Sequence, residues 1–133
     1  IITSSANHAM DGFSTYPFAV FNQDLIGGYA ASIDNRRDTV IGHDVWLGFE
    51  SVVMPGVRIG NGAIIATRSV VTQDVPDYAV VGGNPGRVIR QRFDRDIVRR
   101  LLALSWWDWD IDRIGDHVDA ITGADIEALE RAA

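Results

Sequence analysis

The sequence contains no cysteine among its 133 residues. This absence excludes disulfide bonds, thiolate nucleophiles and zinc sites built on thiolates, and it fits a cytoplasmic protein. No apolar run approaches the roughly 18 residues that a membrane-spanning helix needs, so we expect no membrane partner. Residues 1–5 have neither a basic start nor a long apolar stretch, so they are not an intact signal peptide. We expect the natural start of the chain to be missing from this sequence.

A basic surface is also lacking, because the formal net charge is −6. A general nucleic-acid-binding protein needs basic residues that neutralise phosphates, so nucleic acid is not an expected partner. The acidic excess is uneven: residues 94–133 hold ten acidic residues against five arginines, whereas residues 1–93 hold eight against seven. The length suits one domain with a modest appendage.

A six-residue period organises the middle of the chain. An aliphatic residue recurs at every sixth position, and the residue after it and the residue two before it are mostly small. The aliphatic column consists of Ile41, Leu47, Val53, Ile59, Ile65 and Val71. A period of six fits neither a helix nor a long strand, and it indicates a short strand and a turn repeated along a solenoid. Three hexads would close a triangular coil with the column inside and the small residues at its bends.

The segments beside the repeats predict how the solenoid is extended. Residues 1–21 could supply part of an earlier coil, and residues 76–85 could supply a last one. Residues 22–37 lack the period and predict a protruding loop, in which Tyr29 and Ile33 could face a ligand. The expected fold class is mainly β, with a parallel β-helix domain over residues 1–93.

Residues 94–133 are expected to form a helical appendage. Asp94 is a predicted N-cap, and apolar residues then follow at helical spacing. A second helix is predicted from about Asp110, ending at Gly123, and a third from Ala124. We expect the tryptophans at positions 106, 107 and 109 to cover the open end of the solenoid.

Three histidines are candidates for acid–base chemistry. His8 lies in a small, polar stretch in which Asn7 and Asp11 could orient its imidazole, although a solvated loop histidine is the alternative. His43 occupies an outward hexad position and is expected to be exposed, and His117 is expected to be structural.

A zinc-dependent carbonic anhydrase is another chemistry that histidines on a parallel β-helix could support. His8 and His43 could come from different coils, but a third imidazole should follow a few residues after His43. Residues 44–48 contain no histidine. The sequence therefore disfavours this activity and predicts no metal site.

Residues 81–93 contain three arginines and no acidic residue. Two glycines and a proline predict an exposed turn, and the arginine side chains could hold phosphate groups bidentately. The alternative is a solvated basic strand that pairs with the acidic tail.

Three stretches together resemble the hexapeptide-repeat xenobiotic acetyltransferases, the family that contains type B chloramphenicol acetyltransferases and streptogramin A acetyltransferases. They are Asn-His-Ala-Met-Asp-Gly at 7–12 with Ser-Thr-Tyr-Pro-Phe at 14–18, the hexads at 41–48 and 54–57, and Val-Gly-Gly-Asn-Pro at 81–85. Trp-Trp-Asp-Trp at 106–109 extends the resemblance over nearly the whole chain. The hexads and the Gly-Gly-Asn-Pro turn occur widely in acyltransferases of this fold, whereas the histidine block is much more specific.

The resemblance implies a left-handed parallel β-helix, an exception to the usual right-handed crossover. It also implies a homotrimer whose active sites lie between subunits, with His8 as the catalytic base. The implied acetyl-CoA contacts are Trp46, Ala66, Thr67, Asn84, Pro85, Arg87 and Arg90. The implied acceptor contacts are Asn7, Met10, Tyr16, Pro17 and Phe18. Family members carry further coils before the histidine block, so we expect the N-terminal part of the protein to be missing here.

These features predict an acetyl-CoA-dependent O-acetyltransferase that acts on a hydroxyl of a xenobiotic such as chloramphenicol or streptogramin A. Transfer is expected to be direct, because there is no cysteine and no serine obviously coupled to His8. Two alternatives stay open. One is a metabolic sugar or serine O-acetyltransferase of the same fold, and the other is a non-enzymatic trimeric scaffold.

Overall fold

The computed structural model describes residues 1–3, 12–16 and 38–133. Its middle part consists of six two-residue strands, each separated from the next by a turn, followed by two longer strands. The strands are β1 Val40–Ile41, β2 Trp46–Leu47, β3 Val52–Val53, β4 Arg58–Ile59, β5 Ile64–Ile65, β6 Val70–Val71, β7 Ala79–Gly83 and β8 Gly86–Gln91. The predicted alternation of short strand and turn is therefore confirmed. The predicted loop at 22–37 lies outside the described residues.

Parallel pairing joins each short strand to the strand three hexads later. β1 pairs with β4, β2 with β5, and β3 with β6, so successive strands belong to three different faces. β7 then pairs in parallel with β5 and adds the next coil. Ile2 forms a parallel bridge with Val53, which places residues 1–3 beside β3. The structure is thus β-rich, with coils of three hexads as the period predicts.

The aliphatic column fills the interior of these coils. Its central members, Val53, Ile59, Ile65 and Val71, are buried, and Ile65 has no exposed surface at all. Ile41 and Leu47 are partly buried and pack against this core. Full burial of one such side chain contributes roughly 1.5 to 3 kcal/mol before the loss of conformational entropy is subtracted. The column is the main source of stability in the solenoid.

The turns between hexads contain a feature that the small residues did not predict. Their backbone is left-handed at every sixth position, with φ angles between 52° and 75°. These positions are Asp44, Glu50, Gly56, Gly62 and Arg68. The glycine after the aliphatic residue serves another purpose: a Cβ on Gly48 would lie 2.5 Å from the backbone nitrogen of Thr67 in the next coil. The glycines at these positions therefore allow close packing of neighbouring coils, while the small residues flank the turns and the left-handed residues make the bend itself.

The predicted last coil at 76–85 is only partly correct. β7 completes a face of the solenoid, but the chain reverses after Gly83 and β8 runs antiparallel to β7. The register is irregular between Val80 and Val81, where β8 holds one extra residue. The two strands form a hairpin at the end of the four-stranded sheet, whose order is β2-β5-β7-β8.

Four α-helices follow the hairpin: α1 Arg95–Leu104, α2 Ile111–Asp116, α3 Val118–Thr122 and α4 Ile126–Ala132, with a 3₁₀ helix Trp106–Asp108 between α1 and α2. The predicted cap is confirmed, since Asp94 accepts a hydrogen bond from the Ile97 N–H. Asp110, near which the second helix was predicted to begin, also caps its helix by accepting a hydrogen bond from the Arg113 N–H. The predicted second helix is broken at His117, whose backbone leaves the helical region. No helix in the described part of the chain is long and apolar enough to cross a bilayer.

Charged and aromatic contacts hold the appendage together. Arg100 on α1 donates to both carboxylate oxygens of Glu130 on α4, at 2.7 and 2.6 Å. Trp107 stacks on His43 of the solenoid at 5.4 Å between ring centroids, with the ring planes 2° apart. Trp109 instead packs within the appendage, beneath the Arg113 guanidinium. Trp106 lies edge-on to Trp107, at 6.0 Å between ring centroids, so these two tryptophans form a pair and the third packs elsewhere.

Candidate functional site

The four-stranded sheet presents an outer face on which several predicted contact residues lie. Trp46 of β2 is paired with Ile64 of β5, Ile64 with Val80 of β7, and Val80 with Arg90 of β8. In β2, β5 and β7, the residue that follows Trp46, Ile64 or Val80 points into the core. Strand alternation therefore directs Trp46 outward. Its side chain is 66% exposed.

The row has a length that suits an extended ligand. Neighbouring strands are about 4.8 Å apart, so three spacings separate Trp46 from Arg90 by roughly 14 Å. Trp46 and Arg90 are therefore too far apart to touch the same small group. They could contact opposite ends of one long molecule that lies across the sheet.

The hairpin turn lies against a corner of the solenoid, and this brings together four further predicted residues. The Ser69 hydroxyl accepts a hydrogen bond of 3.1 Å from the Gly83 N–H, which fixes the start of the turn. A Cβ on Gly82 would lie in ordinary contact, at 3.4 Å, with Cβ of Ala66, so Gly82 and Ala66 lie side by side at this corner. Ala66 and the exposed Thr67 lie on the solenoid side of this corner. Asn84 and Pro85, joined by a cis peptide bond, lie in the turn itself.

Two of the three hairpin arginines have guanidinium groups without an acidic partner in the described part of the chain. Arg87 donates to the Gly86 carbonyl at 2.9 Å, and Arg90 donates to the Gln91 carbonyl at 3.1 Å. Both side chains are exposed. Pairing of this strand with the acidic tail is not observed among the described residues, so both cations face solvent and can bind an anion.

Arg92 differs from the other two because it is used structurally. Its guanidinium donates to the Gly62 carbonyl at 2.6 Å and lies 3.7 Å from the Asp44 carboxylate. It also packs against the rings of Tyr78 and Phe93. Arg92 therefore holds β8 against the solenoid.

The predicted acceptor side of the site falls mostly outside the described residues. The predicted residues outside the described ranges are His8, Asn7, Met10, Pro17 and Phe18. Tyr16 is described and half exposed, and its N–H donates to the Ser14 hydroxyl at 3.1 Å.

The two described histidines both pack against tryptophans. His43 is exposed, as predicted, and stacks on Trp107. His117 is partly buried at the end of α2, with its ring edge-on to Trp109 at 6.2 Å. Within the described ranges, no group of three histidine, aspartate or glutamate side chains is placed to hold a metal ion.

Sequence reasoning missed Ser69 and Gly82, which shape the corner beside the hairpin turn. Ser69 belongs to the small column of the repeat, and Gly82 belongs to the widespread Gly-Gly-Asn-Pro turn. The six-residue repeat identified Ser69 only as a small residue. Its role as an anchor for the turn depends on the hairpin, which the period does not predict.

The family model described as bacterial transferase hexapeptide (six repeats) matches residues 38–73. A chloramphenicol acetyltransferase from Agrobacterium fabrum is 40% identical over 136 residues, covering 98% of this chain and 63% of that protein. A probable macrolide acetyltransferase from Lysinibacillus sphaericus is 41% identical over 131 residues, covering 96% of this chain and 73% of that protein. A virginiamycin A acetyltransferase from Staphylococcus aureus is 45% identical over 136 residues, covering 98% of this chain and 60% of that protein.

This chain therefore spans less than two thirds of the chloramphenicol acetyltransferase that it matches. A solved structure of a hexapeptide-repeat-containing acetyltransferase from Vibrio cholerae, complexed with acetyl coenzyme A, is 46% identical in the aligned part. The alignment covers 42% of this chain and 31% of that one, with a TM-score of 0.41.

Proposed function

Because this chain belongs to the hexapeptide-repeat acetyltransferase family that includes chloramphenicol and virginiamycin A acetyltransferases, we propose that its protein is an acetyl-CoA-dependent O-acetyltransferase. We propose that the acceptor is a hydroxyl of a xenobiotic such as chloramphenicol or a streptogramin A antibiotic. Fold alone does not fix function, so the proposal depends on features outside the repeats.

The extent of the similarity is the observation that supports this proposal most strongly. The chloramphenicol and virginiamycin A acetyltransferases match 98% of this chain, whereas the hexapeptide family model matches only residues 38–73. The alignment thus includes the histidine block before the repeats and the helices after them. These are the parts in which enzymes with different acceptors would be expected to differ.

The outer face of the four-stranded sheet supports the proposed position of acetyl-CoA. The row from Trp46 to Arg90 is roughly 14 Å long, which suits a long donor molecule rather than a compact one. The small corner at Ala66 and Gly82 would let its chain lie close to the backbone. Arg87 and Arg90 would bind its phosphates, since a guanidinium can hold phosphate oxygens bidentately.

We assign the general base to His8. An alcohol attacks a thioester slowly unless a base removes its proton, and an imidazole can do so at about pH 7. In the proposed step, His8 takes the hydroxyl proton while the oxygen attacks the thioester carbonyl. His8 then returns that proton to the departing thiolate, so the acetyl group moves directly to the acceptor.

We also propose that the coils form a left-handed β-helix over residues 1–93, with the appendage at 94–133, and that three copies assemble with active sites between them. Large apolar side chains on the outside of the coils support an assembled state, since Trp46 is 66% and Phe49 is 71% exposed. Side chains of this size are typical of surfaces that are covered in an oligomer. We assign the protein to the cytoplasm.

A metabolic acetyltransferase of the same fold is the second candidate. A tetrahydropyridine dicarboxylate N-acetyltransferase from Staphylococcus aureus is 52% identical over 65 residues, but this covers only 48% of the chain. Sequence identity over about half of the chain therefore does not separate the candidates.

A thiol-release assay on the full-length protein tests the proposal. The protein is supplied with acetyl-CoA and one acceptor at a time: chloramphenicol, a streptogramin A, a galactoside or serine. Thiol release with an antibiotic, together with the mass of one added acetyl group on it, is the expected result. Thiol release only with the galactoside or serine would select the metabolic enzyme. If none of the acceptors led to thiol release, the trimeric scaffold would remain.

A further inference from the structure

The extra residue in β8 determines which of its side chains share a face of the hairpin. Arg87 is paired with Gly82 and Arg90 with Val80, so the arginines are three positions apart while their partners are only two apart. The extra residue is Ile89, which forms a β-bulge. Residues three apart in a regular strand point to opposite faces, whereas paired residues of antiparallel strands point to the same face. The bulge therefore brings Arg87 and Arg90 onto one face.

Two observations show that this shared face is the outer face of the four-stranded sheet. A Cβ on Gly86 would lie 3.1 Å from the carbonyl oxygen of Val70, so Gly86 faces the solenoid. Strand alternation then directs the next residue, Arg87, outward. Arg90 ends the outward row that begins at Trp46. Both arginine side chains therefore lie on the face to which we assign acetyl-CoA.

The bulged residue Ile89 points to the same outer face. A Cβ on Gly82 would lie 2.7 Å from Cδ1 of Ile89, so the tip of the isoleucine side chain lies over this glycine, next to Ala66. Ile89 is nevertheless 65% exposed. It stands in the strand between Arg87 and Arg90. The outer face of β8 thus offers an apolar contact directly beside two cations.

Acetyl-CoA has chemical groups in the matching order. The branched hydrocarbon of its pantetheine arm, which carries two methyl groups, follows directly after the diphosphate. We propose that Ile89 is a specificity-determining residue, which packs against these methyl groups while Arg87 and Arg90 hold the phosphates. The inference rests on the proposed function, because it takes acetyl-CoA as the donor. It adds that the site distinguishes CoA from a nucleotide with the same phosphates but no pantetheine arm.

Titration calorimetry on the full-length protein tests the contact with two ligands, CoA and adenosine 3′-phosphate 5′-diphosphate. The second ligand keeps the phosphates of CoA and lacks its pantetheine arm. Ile89→Ala should weaken CoA binding roughly fivefold, the effect of losing a few tens of Å² of apolar burial, and should leave binding of the truncated nucleotide unchanged. Val88→Ala is the matched control, because Val88 is 51% exposed but pairs with Val81 and so points to the other face. It should bind both ligands normally.

A second pair of variants tests the shared face by charge. Ile89→Glu places a carboxylate beside Arg87 and Arg90, so it should weaken binding of both ligands at least about tenfold, whereas Val88→Glu on the other face should change it less than about twofold. Circular dichroism checks that all four variants fold.

Unchanged CoA binding in Ile89→Ala, equal losses for the two ligands in that variant, or equal effects of the two glutamate substitutions would each overturn the inference. These results would leave the proposed function standing as long as the natural protein binds CoA. Failure of the natural protein to bind CoA would overturn both.

Discussion

Replacing Ile65 and Ile64 in turn by alanine tests the inside and outside of the coil with one residue type at adjacent positions. Both isoleucines belong to β5, but Ile65 has no exposed surface, whereas Ile64 is only partly buried on the outer face. Each substitution removes three carbon atoms. At about 0.8 kcal/mol for each buried carbon, Ile65→Ala loses about 2.4 kcal/mol of transfer free energy.

The core variant also leaves a cavity, because neighbouring coils cannot collapse freely around the missing atoms. The total loss for Ile65→Ala should therefore be about 3 to 4 kcal/mol. Ile64→Ala should lose only about 1 kcal/mol, since part of its side chain is already in contact with water.

Urea unfolding followed by circular dichroism measures both losses as changes in the free energy of unfolding. Measurements at two protein concentrations separate unfolding from subunit dissociation. A loss for Ile64→Ala as large as that for Ile65→Ala, at both concentrations, would refute the assignment of the aliphatic column to the inside of the coil.

Two further predictions concern the arginines. Arg87→Gln and Arg90→Gln should each raise the KM for acetyl-CoA about tenfold, because each removes a charge-assisted hydrogen bond to phosphate. The control Arg99→Gln, at an exposed arginine of the appendage, should leave the KM unchanged. An unaltered KM in Arg87→Gln and Arg90→Gln would contradict the proposed position of acetyl-CoA. The hydrogen bond from Arg100 lowers the pKa of Glu130 below its ordinary value of 4.5, so this contact stabilises the appendage above that pH and is lost as the pH falls through the lowered pKa of the folded state. The melting temperature of the natural protein should fall across that acidic range, and that of Arg100→Gln should fall less. Identical pH profiles of the two melting temperatures would refute the stabilising role of the contact between Arg100 and Glu130.

Much of the fold could be predicted from the sequence because its core repeats with a fixed period. The column at every sixth residue marked the buried side chains, and Asp94 marked the start of a helix by its capping side chain. The left-handed turns were not predictable in the same way. Asp44, Glu50 and Arg68 adopt a conformation that glycine favours, and the stacking of neighbouring coils rather than local preference holds them there.

The candidate site was predicted in part. The structure brings Ala66 and Thr67 beside the hairpin turn that holds Asn84. It leaves the guanidinium groups of Arg87 and Arg90 without acidic partners in the described ranges. The sequence did not separate Arg92 from its neighbours, because its contacts with Gly62 and Asp44 arise only when the coils stack. The stack of Trp107 on His43 was not predictable, since it depends on how the appendage packs on the solenoid.

The role of His8 is the central claim, and the turnover of a His8→Ala variant of the full-length protein tests it most directly. His43→Phe is the matched control, because it removes another imidazole while keeping a ring to stack on Trp107. With acetyl-CoA and chloramphenicol, His8→Ala should lower kcat by a factor of about a hundred or more, leave the binding of acetyl-CoA unchanged, and keep the assembly state. Turnover of His8→Ala close to that of the natural protein, or an equal loss in His43→Phe, would contradict the account.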